Sequence, residues 1–181
     1  LRDAMARSKW SLAPDDDALT VLAAILSGGR SSRFYESLVR TQQLTSDPSA
    51  SATGARGPGL FQVGATALPG KPIADLEKAI YAEIERIKTG SVEAWEIEKA
   101  ANSQKRQFVN GLGSSLQRAI LLGQYALYYN DPNLINTYVD RMSKVTAAEV
   151  QRVAMKYLVA TNRSVIVTSP KAAGATPGGV R

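Results

Sequence analysis

A chain of 181 residues with 44% hydrophobic and 21% charged residues has the make-up of one ordinary globular domain, long enough to bury a core. It contains no histidine and no cysteine, which excludes within it a His-ligated zinc site, a nucleophile–histidine hydrolase, disulfides and thiolate metal sites. The net charge of +6 is scattered, and its densest basic group, Lys99 to Arg106, sits beside Glu96 and Glu98, the pattern of a solvated helix face rather than a nucleic-acid patch.

No run of about 18 apolar residues is present, so no membrane span is expected. The chain opens on Leu1 in a polar segment and reads as a fragment truncated at its N-terminus, with residues 1–13 an irregular remnant. From Pro14, Asp15, Asp16 and Asp17 start a helix with carboxylates where the dipole favours them. Leu19, Leu22, Ala23 and Leu26 keep helical spacing, and Gly28-Gly29 ends the helix. Ser31 or Ser32 caps a second helix that carries Phe34, Tyr35, Leu38 and Val39 inward and runs to about Gln43.

Between Pro48 and Leu68 the residues turn small, β-branched or apolar, with a break at Arg56-Gly57-Pro58-Gly59. Phe61, Val63, Ala65 and Ala67 alternate, so two antiparallel strands are expected, joined at the Gly-Pro turn. A long helix follows, with Ile73, Leu76, Ile80, Ile84 and Ile87 on one stripe and Gly90 at its end. Ser91 caps the next, which runs through Trp95 to about Leu112. After Gly113-Ser114, Leu116, Ala119, Ile120, Gly123 and Leu127 form another apolar stripe. Asp131 and Pro132 read as an N-cap and first helical residue, with Leu134, Ile135, Tyr138 and Met142 inward. Thr146 with Glu149 forms a capping box, stapled by Val145 and Val150. Ser164 to Thr168 reads as a short, central strand, and residues 171–181 as a flexible tail.

These elements make residues 14–170 one α+β domain, a two-layer sandwich of helices on a mostly antiparallel sheet. Three strands are few for so many helices, so further strands are expected upstream of Leu1. An edge left open by their absence could pair two copies into a homodimer.

The candidate chemical motifs read as structure. Gly28-Gly29 before Arg30-Ser31-Ser32-Arg33 lacks the lysine and preceding strand of a phosphate loop and is better read as a helix–helix corner. Ser31, Ser32 and Ser115 have no histidine to activate them. Glu83/Glu85 and Glu96/Glu98 point different ways along their helices and read as solvated faces. Tyr125, Tyr128 and Tyr129 read as a helix end on the core rim.

The stretch Ala18 to Arg40, with its Gly28-Gly29-Arg30-Ser31-Ser32-Arg33 core, resembles the C-terminal half domain of the M16 (pitrilysin/insulinase-type) zinc peptidases. The resemblance continues through Asp75–Gly90, Glu96-Ile97-Glu98-Lys99-Ala100 and the Tyr125–Pro132 corner, covering roughly Pro14 to Pro170. It implies two similar halves, or separate subunits, closing around a peptide substrate. It also implies that zinc, held by His-x-x-Glu-His and a distant Glu, sits in the other, zinc-bearing half. No cofactor is expected in this chain, whose isolated form should be inactive.

The resemblance further implies a substrate-binding arginine, matched by Arg40, followed by a tyrosine. Here Ser46 or Asp47 stands in the tyrosine's place, and neither offers a phenol to a developing oxyanion. The implied function is the non-zinc half of a metalloendopeptidase; the alternative is a non-catalytic scaffold or peptide-binding subunit. The resemblance also implies a periplasmic or secreted location.

Overall fold

The computed structural model describes residues 15–55 and 57–169. The expected N-terminal remnant and the C-terminal tail fall outside them.

The acidic segment starts helix α1 (Asp16–Ser27), whose apolar positions bury Val21, Leu22 and Leu26 completely. Each such side chain contributes about 2 kcal/mol by leaving water. Its end is dictated by two glycines. A Cβ on Gly28 would stand 2.3 Å from the Ala24 carbonyl oxygen, and Gly29 adopts φ +87°, a left-handed conformation that glycine takes at no steric cost.

The next helix is wound differently from a plain α-helix. Residues 33–34 are α-helical, and Tyr35–Thr41 is a π-helix in which the Gln42 N–H donates to the Ser37 carbonyl, five residues back. Phe34 and Leu38 point inward as expected and are fully buried. Positive φ at Gln43 (50°) then turns the chain toward the sheet.

Strands β1 (Ser49–Ala55) and β2 (Gly57–Gly64) form an antiparallel hairpin, registered Ala50 with Val63 and Ala52 with Phe61. Gly57 and Pro58 belong to β2 instead of forming the expected turn; Arg56, between the strands, lies outside the described residues. Phe61, Val63, Ala65 and Ala67 are each partly buried against the core, as their alternation requires.

Helices α2 (Ile73–Thr89), α3 (Ala94–Gly111), α4 (Ser115–Tyr129), α5 (Leu134–Lys144) and α6 (Ala147–Tyr157) complete the described body. The core joins α1, the π-helix, α2, α3 and α6 through Leu22, Phe34, Leu38, Ile87, Ala100 and Val153. The architecture is the expected α+β class, helices packed on a small antiparallel sheet.

Several local expectations need correction. The N-cap of α3 is Glu93, which forms a capping box with Glu96; the Ser91 hydroxyl donates to the Glu93 carboxylate (2.6 Å). Asp131 opens a turn, its carboxylate accepting from the Asn133 N–H, and α5 starts only at Leu134. The stripe on α4 is not a core face: no α4 residue is buried, and Leu116 and Leu127 are 71% and 67% exposed. Residues 164–168 are not a central strand. Among the described residues the sheet has two strands, and Ile166 is 89% exposed. Apolar content read as burial, but burial needs a neighbour to cover it, and none of the described elements does.

Candidate functional site

Three features of the surface bear on function: the Gly-Gly corner, the exposed end of the π-helix, and a groove between the hairpin and the C-terminal segment.

At the corner, Arg33 leaves the α-helical first turn and reaches across to α3. Its Nε and Nη2 donate to Glu96 Oε1 and Oε2 (2.8 and 2.7 Å), and Nη2 also donates to the Ser91 carbonyl (2.8 Å). Both side chains are nearly covered. Burial works against a charged Glu96, but the Arg33 fork and the Glu93 N–H outweigh it and hold the carboxyl below its ordinary range. The arginine of the motif is therefore committed to a structural ion pair.

The expectation of solvated faces fails at two glutamates. Glu96 is buried under Arg33, and Glu83, 4% exposed, accepts from Arg86 (2.9 Å).

Arg40 sits on the last turn of the π-helix with its side chain 74% exposed, and its Nη1 donates to Glu36 (3.2 Å). It does not line the groove. Asp47 accepts from the Thr45 hydroxyl (3.2 Å) and the Thr66 N–H (3.4 Å), while Ser46 is exposed. These residues share one surface segment after the π-helix, with no phenol among them.

The groove holds about 1830 Å³ and is lined by residues of α1, both strands and α2 and by residues 157–167. Its α2 residues include apolar Leu76, Ile80 and Ile84. Arg163 lies over the Tyr81 ring, 4.0 Å from its centroid, and the Tyr81 hydroxyl donates to Glu77 (2.8 Å). Burial, with that glutamate beside it, pushes the Tyr81 phenol up, so it stays protonated at neutral pH.

At one end of the groove, Tyr125 and Tyr138 stand beside Arg141, which donates to Asp17 (3.0 Å) and Thr137 (2.7 Å). Burial raises both phenols. The tyrosine cluster is thus a groove rim rather than a core rim.

Asp15 closes this region. Its carboxylate accepts from Arg152 (2.6 Å), Lys156 (2.8 Å) and the Tyr157 hydroxyl (2.7 Å), pinning the start of α1 to α6. Those three hydrogen bonds hold the Asp15 carboxyl far below the usual carboxylate range. In the sequence Asp15 reads only as a helix-start acid; its partners lie more than 130 residues on, and no local spacing reveals them.

Among the described residues no group of His, Cys, Asp and Glu is placed to hold a metal ion. The chain also has no histidine to supply a zinc ligand, so these residues do not fit a catalytic zinc. What the arrangement offers is an apolar lining with protonated phenols, a surface suited to recognition.

Residues 7–104, more than half of the chain, match the family described as the peptidase M16 inactive domain. The chain is 28% identical over 156 residues to the zinc protease PqqE of Helicobacter pylori, and covers 86% of itself but only 35% of that relative. A solved protease structure from Helicobacter pylori matches with TM-score 0.75 at 28% identity, over 83% of this chain and 36% of the other. An inactive peptidase domain from Bordetella parapertussis matches with TM-score 0.75 at 26% identity, over 84% of this chain and 82% of that one.

Proposed function

Because the chain belongs to the peptidase M16 inactive-domain family, we propose that it is the non-zinc half of a zinc metalloprotease. In this reading a separate zinc-bearing half supplies metal and general base, and this half contributes surface that holds the peptide substrate. The chain spans about a third of the length of the curated relative it matches, which leaves room for such a half in a protein of that size.

The observation that carries the substrate role is Arg40. Its guanidinium is mostly in solvent, held on one side only by Glu36, at the position where the family resemblance has a substrate-binding arginine. A planar fork with free N–H groups can donate to a peptide carbonyl or terminal carboxylate. It acts by orientation, with no part in proton transfer.

Peptide cleavage by the assembled protease should fall about tenfold or more in kcat/KM for Arg40→Ala, with Tm unchanged because the Glu36 pair is exposed. Cleavage at the wild-type rate would remove Arg40 from the mechanism. The Ser46-Asp47 segment, without the family's tyrosine, favours a second reading, a non-catalytic scaffold that still binds peptide. In that case the assembled protein retains peptide binding that depends on Arg40 and shows no turnover.

A further inference from the structure

At the C-terminal end of the π-helix the side chains repeat the span of its backbone. The Gln42 N–H reaches the Ser37 carbonyl, five residues back (2.9 Å). Thr41 Oγ1 donates to the Glu36 carbonyl (2.8 Å) and Gln42 Nε2 donates to Ser37 Oγ (2.9 Å), each again five residues back. In the α-helices of this chain, hydroxyls bond back over three or four residues: Thr137 to the Leu134 carbonyl, Thr89 to that of Glu85, Ser143 to that of Val139. The five-residue bonds therefore suit π winding and would be lost on tightening to an α-turn.

Winding of this kind is rare and is concentrated at functional sites. The core holds Phe34 and Leu38, both fully buried, so the winding decides the placement of what lies beyond them. Arg40 lies there, on the last turn. The Leu44 N–H then closes the end on the Leu38 carbonyl, six residues back (2.9 Å).

The connection to Arg40 runs through Glu36. Thr41 holds the Glu36 backbone, and both Glu36 carboxylate oxygens accept from one Arg40 nitrogen, Nη1 (3.4 and 3.2 Å). The ion pair alone orders little, because both side chains stand largely in solvent. A backbone fixed at its base supplies what the pair lacks. The contact at Nη1 leaves the Nε and Nη2 edge for an outside acceptor, the same edge with which Arg33 grips Glu96.

We propose that Thr41 and Gln42 are positioning residues, whose side chains lock the π winding and so fix the direction in which the Arg40 guanidinium meets a peptide. Their role rests on the reading of Arg40 as the peptide-holding group. Both bonds lie at the surface, so their removal leaves the buried core intact.

Steady-state cleavage of an internally quenched pool of random decapeptides by the assembled protease tests this. Thr41→Val combined with Gln42→Ala should lower kcat/KM about fivefold, mostly through KM, with little change in Tm. Thr41→Ser, which keeps the donor, should recover most of the loss seen with Thr41→Val. In the Arg40→Ala background the same pair of substitutions should change kcat/KM less than about twofold, a non-additivity that a merely structural role does not produce. An equal loss in both backgrounds overturns the positioning role. So do wild-type kinetics for the pair where Arg40→Ala alone is impaired, a result that leaves Arg40 its part. Wild-type kinetics for Arg40→Ala remove Arg40 itself, and the positioning role with it. If the assembled protein binds peptide without turnover, the same comparisons are read as the apparent Kd for that pool, with the same outcomes deciding.

Discussion

Arg33 shows how a motif residue acquires its meaning from a distant partner. The Gly-Gly corner and the arginine after it are legible in the sequence, since Gly28 and Gly29 answer to local sterics. Glu96 is not: its spacing from Glu98 suggests a solvated face, and nothing local announces a guanidinium arriving from 63 residues away. Arg33→Ala leaves a nearly covered carboxylate without its fork, and should destabilise the fold by about 3 kcal/mol in urea unfolding. Pairing Arg33→Met with Glu96→Leu should recover most of that loss, because the penalty comes from the stranded charge. A double variant no more stable than the single one would show that the pair does more than neutralise itself.

At the scale of elements, legibility follows how local the deciding interaction is. The capping box of α6 is set by residues three apart, and it appears as expected: Thr146 Oγ1 accepts from the Glu149 N–H and Glu149 accepts from the Thr146 N–H. Thr146→Ala should cost about 1 kcal/mol, read as a lower midpoint in urea with unchanged slope. The hairpin was equally legible through its period of two. The α4 stripe and residues 164–168 were not, because an apolar pattern states what a segment can bury and is silent about whether anything lies over it. The π-wound turn was also hidden, since Phe34 and Leu38 are spaced for an α-helix as well.

For the molecule as a whole, acid behaviour should be governed by Asp15, which ties the first described helix to α6. Its carboxyl is held far below the ordinary 3.8 by Arg152, Lys156 and Tyr157. A depressed carboxylate adds stability that is complete above the unfolded value, and that stability is lost as pH falls toward the folded one. The Tm should therefore decline steeply below about pH 4, and Asp15→Asn, already weakened at pH 7, should show a shallower decline. Equal slopes for the two proteins would assign acid unfolding to other carboxylates.

The π-helix carries a last consequence, which concerns chain length rather than energy. A π-turn holds one residue more than the α-turn it replaces. Loss of a residue from a helix normally rotates everything beyond it by about 100° and unseats its buried face. Between Val39 and Gln42, outside the Phe34 and Leu38 contacts, the winding has slack to take up such a loss by tightening to α. The surface segment that bears Arg40 is thus where this domain can change its length by one residue and keep its core in register.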